Sequence, residues 1–230
     1  MKAVLIAAAG SGAGKTTVTL ALMRALRNAG HTVRSLKLGP DYIDPGFHRL
    51  ATGSEAYNLD PWAMPAAQQA ALIGDEGPLV IESAMGLFDG AGMAGAGSAA
   101  DVARAHDIPI VLVLDCARAA QTAPALVEGL TRHRAGLRFH GLILNKVGSE
   151  RHAALLKAAF DRADLPPVLG VLRRNQGFTL ESRHLGLVQA QELDDIDSTC
   201  ALDQLRTGAI HANNTWRCTP TCHLLDCDGS

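Results

Sequence analysis

A short apolar run over residues 2–8 ends directly in Ala9-Gly10-Ser11-Gly12-Ala13-Gly14-Lys15-Thr16-Thr17, and a helix-period segment follows over 15–28. No other feature constrains the fold so strongly. A strand that breaks at a glycine-rich turn and resumes as a helix gathers backbone N–H groups at the positive end of the helix dipole. The pattern is that of a phosphate-binding loop, G-x4-G-K-S/T. Its second glycine, lysine and hydroxyl residue stand at Gly14, Lys15 and Thr16, and Ala9 replaces the first glycine. Gly10, Gly12 and Gly14 are expected to let N–H groups turn inward around phosphate oxygens without a clashing Cβ. The segment Gly10, Ser11, Gly12, Ala13, Gly14, Lys15, Thr16 and Thr17 is therefore expected to bind ATP, with Lys15 on the outer phosphates and the Thr16 hydroxyl on Mg²⁺. Which reaction follows is not written in this loop.

Further apolar runs of strand length lie at residues 32–38, 79–82, 109–115, 140–145 and 167–172, separated by helix-period segments at 98–106, 121–133 and 149–163. Continuous apolar strands spaced by helices predict a mostly parallel sheet buried on both faces, an open, doubly wound α/β fold. Two stretches interrupt the rhythm. Residues 39–58 are polar and rich in Gly, Pro and Asp; residues 83–97 are rich in Gly and small side chains. Both follow predicted strands, so both are expected at the carboxyl edge of the sheet, where such folds bind ligands. After about residue 189 the periodicity fades, which divides the chain into a nucleotide-binding domain over 1–190 and an irregular tail or linker remnant over 191–230.

Hydrophobic residues make up 47% of the chain and aromatics only 4%, which suits helices packed closely on a sheet and disfavours a base-stacking nucleic-acid platform. A net charge of -2 gives no general affinity for polyanions. The first apolar run lacks the length of a secretory signal, and no stretch reaches membrane-spanning length, so a cytoplasmic location is expected. Four of the five cysteines fall at Cys200, Cys218, Cys222 and Cys227, and Cys218-x3-Cys222-His223-x3-Cys227 matches no standard zinc spacing.

A phosphate-loop enzyme needs an acid at a neighbouring strand end to hold the metal. Two runs end suitably, at Glu82 and at Asp115. Asp115 opens a helix-like segment and can serve as its cap, whereas Glu82 opens the glycine-rich loop, which favours Glu82. Asp41 and Asp44 offer further oxygen ligands at the same edge. Lys37 is a candidate second cation, or simply a lysine at a strand end.

The segment Lys37-Leu38-Gly39-Pro40-Asp41-Tyr42-Ile43-Asp44-Pro45-Gly46-Phe47-His48 is more specific. Together with Glu82-Ser83-Ala84-Met85-Gly86-Leu87-Phe88-Asp89-Gly90 it resembles the cobyrinic or hydrogenobyrinic acid a,c-diamide synthases, members of the dethiobiotin-synthetase-like phosphate-loop group. Asn145-Lys146-Val147-Gly148-Ser149-Glu150-Arg151-His152 and Ser182-Arg183-His184-Leu185-Gly186-Leu187 extend the resemblance to about residue 190. Related cobyric acid synthases differ after the second strand, and the signature lysine of partition-type ATPases would fall at Gly10. The resemblance implies that ATP phosphorylates a corrinoid carboxylate and that ammonia displaces the phosphate to leave an amide. It implies Lys15, Asp41 and Glu82 as catalytic, with Thr16, Asp41 and Glu82 on the metal and Lys37 beside the phosphates. It places Asn145 at the adenine, and Tyr42, Asp44 and Asp89 on the corrinoid side. From residue chemistry alone, Asp44-Pro45 and Asp89-Gly90 read as ordinary turn formers. His48, His152 and His184 receive no role.

Full-length members of that family carry a glutamine-hydrolysing domain with a Cys nucleophile. No Cys here lies in a Gly-Cys-Gly-like elbow, and the 40 residues after Ala190 are too few for such a domain. Ammonia is therefore expected from solution or from a separate glutaminase. Related synthetases often dimerise, so a homodimer is also expected, with no nucleic-acid or membrane partner. Alternatives remain: a nickel-sirohydrochlorin diamide synthase or dethiobiotin-synthetase-like ligase, a non-catalytic nucleotide switch, or a truncated remnant without turnover.

Overall fold

The computed structural model describes residues 3–174. The Ser182–Leu187 match and the cysteine-bearing tail lie outside the described residues. The elements, in chain order, are β1 (Ala3–Ala8), α1 (Lys15–Asn28), β2 (Arg34–Leu38), α2 (Asp44–Thr52), β3 (Ala56–Leu59), α3 (Ala66–Ile73) and β4 (Leu79–Glu82). There follow α4 (Ala99–Ala105), β5 (Ile110–Asp115), α5 (Ala123–Arg132), β6 (Phe139–Val147), α6 (Glu150–Phe160) and β7 (Val168–Arg173). The strands form one sheet in the order β3-β2-β4-β1-β5-β6-β7. Every pairing is parallel, so all carboxyl ends meet at one edge.

Strand alternation sorts the apolar residues into two cores. Val4, Ile6 and Ala8 of β1 face one side, packed with Val18, Leu22 and Leu26 of α1 and Phe47 and Ala51 of α2. Leu5 and Ala7 face the other side, among Val102, Val127, Leu156 and Phe160 from α4, α5 and α6. β1 is at the centre, with Val4 to Ala8 fully buried, which is why its sequence is continuous apolar rather than alternating. Among the described residues no helix is long and apolar enough to cross a membrane.

The sequence reading located six strands, and the structure contains these within one or two residues. Residues 39–58, read as a long functional loop at the ligand edge, contain regular elements as well. Asp41 Oδ1 accepts the N–H groups of Ile43 at 2.8 Å and Asp44 at 2.9 Å, and Pro45 occupies the first turn, so α2 starts inside the polar stretch. Polar residues conceal this helix because they supply its start signal. β3 was missed because it is a short edge strand whose Tyr57 is exposed and whose Leu59 alone is buried. α3 carries no fully buried residue, which left its apolar stripe weak.

Two glycine substitutions test this packing. A Cβ at Gly141 on β6 would come within 2.4 Å of the Leu169 side chain and 2.8 Å of the Pro167 carbonyl oxygen. Gly141→Ala is expected to lower stability by about 1–3 kcal/mol. Gly129, inside α5, has open space around it, so Gly129→Ala should raise stability by about 0.5–1 kcal/mol through helix propensity. Urea unfolding of both variants checks the contrast.

Candidate active site

The phosphate loop leaves β1 at Ala8 and enters α1 at Lys15. Gly12 and Gly14 adopt left-handed φ values of 79° and 88°, whereas Ala9 and Gly10 do not. The conformational need for glycine is thus confined to Gly12 and Gly14, and Ala9 sits without strain where the pattern has its first glycine. A Cβ on Gly10 would meet nothing within 4 Å, so its expected steric role is not seen within the chain. Gly14 caps α1 with no side-chain partner, and the first turn of α1 has no acid. The first N–H groups of the helix and its positive end are therefore available to an anion. Lys15 Nζ lies 2.5 Å from the Met85 carbonyl oxygen and 3.3 Å from that of Gly10, which brings the loop after β4 against the phosphate loop.

Sheet register builds the charged centre. Glu82 on β4 lies beside Lys37 on β2 and Ile6 on β1. Glu82 is completely buried. Its Oε1 accepts from Thr16 Oγ1 at 2.5 Å and from Lys37 Nζ at 3.1 Å. Its Oε2 lies 2.8 Å from His48 Nε2. Lys37 also donates to Asp44 Oδ2 and is 3.9 Å from Asp41 Oδ2. Thr16, Lys37, Asp41, Asp44 and Glu82 are therefore brought together, as one cluster spanning α1, β2, the start of α2 and β4. His48, to which no role is assigned from the sequence, belongs to it as well. A phenylalanine just before it and an alanine three residues after it, both buried, make the i, i+3 and i+4 pattern that would have marked its helix face as inward.

Burial of Glu82 would push its carboxyl up, but the hydrogen bond from His48, the Lys37 charge and the Thr16 hydroxyl outweigh this and hold it below the usual carboxylate range. Burial would lower Lys37, yet Glu82 and Asp44 overcome it and hold the ammonium protonated to higher pH. Lys15 is shifted down, first by its burial and despite the opposing charge of Glu82. Asp44 is shifted up, first by burial and then by the Glu82 charge, because one lysine serves several carboxylates.

The remaining candidates lie around this centre. Tyr42 is 94% exposed at the head of α2. Asp89 Oδ2 accepts from the Gly86 N–H at 2.8 Å, a contact within its own loop, and its charge reaches Lys15. Asn145 is buried with Nδ2 on the Ala13 carbonyl at 2.9 Å and Oδ1 on the Lys146 N–H at 2.9 Å, so it braces the phosphate loop from β6. The Thr16 hydroxyl is bonded to Glu82, whereas Asp115 is bound by Lys146, whose Nζ is 2.7 Å from Asp115 Oδ2 and 2.6 Å from the Gly12 carbonyl oxygen. Lys146, at a left-handed φ of 58°, was also not singled out by the sequence.

For the metal, the fit rests on donor chemistry. Thr16 hydroxyl and Glu82 carboxylate are hard oxygens already adjacent, with Asp41 and Asp44 nearby. Among the described residues no group of three or more His, Cys, Asp or Glu side chains forms a complete cage. Mg²⁺ takes one or two protein oxygens beside waters and phosphate oxygens, and the adjacent Thr16 hydroxyl and Glu82 carboxylate are donors of that kind.

The Glu82 arrangement predicts an acid response of defined sign. A carboxyl held below its ordinary 4.5 contributes stability that is complete above that value and is lost as pH falls through the folded value. Asp44, shifted up, acts in the opposite sense, so the comparison is made in an Asp44→Asn background. There, Asp44→Asn/Glu82→Gln should lose less stability between about pH 7 and pH 3 than Asp44→Asn alone, read from urea midpoints.

Residues 4–188 match the family described as the CobQ/CobB/MinD/ParA nucleotide binding domain. Hydrogenobyrinate a,c-diamide synthase of Brucella anthropi is 50% identical over 203 residues, covering 86% of this chain and 46% of that protein. The enzyme of the same name from Rhizobium meliloti is 48% identical over 202 residues, 86% of this chain and 47% of the other. The chain thus spans about half the length of the curated relatives it matches. MinD complexed with Mg-ADP from Pyrococcus horikoshii OT3 superposes with a TM-score of 0.51 at 20% identity, over 77% of this chain and 83% of that one. Chloroplast FtsY from Physcomitrella patens gives 0.53 at 18% identity, over 89% and 65%. Both likenesses concern the fold alone. Sheet order, phosphate loop and sequence agree: the chain belongs to the CobQ/CobB/MinD/ParA nucleotide-binding domain family and is similar to one half of the hydrogenobyrinate a,c-diamide synthases.

Proposed function

We propose that this chain is the ATP-dependent amidating half of a corrinoid diamide synthase, acting on the a and c acetate carboxylates of hydrogenobyrinic or cobyrinic acid. The observation that carries the reading is the joining of the phosphate loop to a carboxylate-rich second loop through Thr16, Glu82 and Lys37. An enzyme that brings ATP against a carboxylate needs cations between the two anions, and Lys15 and Lys37 stand at this edge.

The γ-phosphoryl group passes from ATP to a carboxylate oxygen, giving ADP and an acyl phosphate. Ammonia then attacks the acyl carbon, the carbon–oxygen bond to phosphate breaks, phosphate leaves and the nitrogen loses a proton. Lys15 and the first N–H groups of α1 hold the phosphates and stabilise the charge that grows on the transferred group. Mg²⁺, held through Thr16, Glu82 and Asp41, supplies further neutralisation when bound. Lys37 stays protonated and offsets repulsion where the second anion enters. Tyr42, Asp44 and Asp89 stand at the edge suited to the corrinoid, and Asn145 fixes the phosphate loop at the base side. Ammonia comes from solution or a separate glutaminase.

The full chain, given ATP, Mg²⁺, ammonium and hydrogenobyrinic acid, is expected to release ADP and form the diamide, as followed by mass spectrometry. Lys15→Ala should reduce turnover by about 10²–10³-fold or more. ADP release stimulated by diaminopelargonate and by no tetrapyrrole acid would overturn the corrinoid assignment.

A further inference from the structure

His48 is a buried histidine whose ring has one hydrogen-bond partner among the described residues. It sits on α2, is fully inaccessible to solvent, and places Nε2 2.8 Å from Glu82 Oε2. Its Nδ1 finds no hydrogen-bond partner among the described residues. This favours one tautomer. With the proton on Nε2, the ring donates to the carboxylate and leaves only a bare acceptor on Nδ1. With the proton on Nδ1, two acceptors would face each other and a buried N–H would go unmet, which costs more. The ring cannot reach substrate, so any effect it has must pass through Glu82.

The two oxygens of Glu82 are used differently. Oε2 is occupied by His48, whereas Oε1 meets Thr16 and Lys37. A carboxylate held at one oxygen cannot rotate freely, so the other oxygen keeps its aim toward the phosphate loop. The helix that carries His48 is anchored on its own account: Asp41 receives the N–H groups at its start, and Phe47 and Ala51 pack in the core. The imidazole is therefore a rigid strut between a fixed helix and a movable side chain.

We propose that His48 is a positioning residue that holds Glu82 through Oε2 so that Oε1 is presented at the Thr16 hydroxyl, where Mg²⁺ binds. This rests on the reading of Thr16 and Glu82 as the Mg²⁺ site. Outer partners that orient a metal ligand are worth about 10–100-fold in metal affinity, which sets the size of effect to look for. His48→Gln keeps an N–H at similar reach, and His48→Leu keeps volume without it.

The test is calorimetric binding of ATP to the full chain with and without Mg²⁺. In the wild type, Mg²⁺ should tighten ATP binding. His48→Leu should bind ATP without Mg²⁺ as the wild type does, yet need at least about tenfold more Mg²⁺ for the same gain. His48→Gln should restore most of it. A full Mg²⁺ response in His48→Leu, or an equal loss with and without Mg²⁺, overturns the inference. No Mg²⁺ response in the wild type overturns the metal-site reading itself, a distinguishable result. Should His48→Leu not fold, the long-range ¹H–¹⁵N imidazole spectrum of the wild type decides: a proton on Nε2 supports the strut and a proton on Nδ1 refutes it.

Discussion

Glu82 is a carboxylate with no exposed surface, and the centre of the molecule is arranged around it. Removing such a charge from water costs several kcal/mol unless partners meet it. Here each oxygen is met, Oε1 by Thr16 and Lys37 and Oε2 by His48. Those partners come from α1, β2 and α2, so meeting one charge fixes the mutual placement of three elements on a fourth. The interaction also sets the electrostatics of the edge. Lys37 stays protonated because Glu82 and Asp44 demand it, while burial and the neighbouring Glu82 charge shift Asp44 up.

A second brace holds the phosphate loop from the opposite side. Asn145 and Lys146 reach the Ala13 and Gly12 carbonyls from the end of β6, and Asp115 on the adjacent strand pairs with Lys146. A Cβ on Gly14 would lie 2.2 Å from Asn145 Nδ2, so close approach and left-handed backbone both require glycine there. The loop is thus held in shape by contacts within the chain, and N–H groups fixed in this way need little rearrangement to receive charge. The two strand-end acids have divided the work: Glu82 faces the hydroxyl of the loop, and Asp115 secures the lysine that steadies it.

Both acids act at one edge of the sheet, the carboxyl ends of the parallel strands. The parallel sheet delivers the β1, β2 and β4 loops there together, and Lys15 touches the Met85 carbonyl across the seam. Loop 83–97 is itself built rather than loose, with Ala91 and Ala96 bridged and Phe88 set edge-on to His133 at 4.7 Å. The chain spans about half the length of the curated relatives it matches.

Much was legible in the sequence because it was local. The phosphate loop, the continuous apolar strands and the alternation with helices all follow from backbone conformation and periodicity within short windows. The preference for Glu82 over Asp115 rested on the loop behind it, again a local signal, and it is Glu82 that meets the Thr16 hydroxyl. The α2 helix, β3 and α3 were not legible, since their start signals are polar or their buried residues few. What tertiary structure alone decided is pairing across distance. The register that sets Lys37 beside Glu82 and Asp115 beside Asn145 depends on strand order β2-β4-β1-β5-β6, which no spacing encodes. The inward turn of His48 depends on where α2 packs. Sequence determined which groups are present and what backbone each can adopt; the sheet decided which charges meet, because a buried charge is tolerated only where its partners are brought to it.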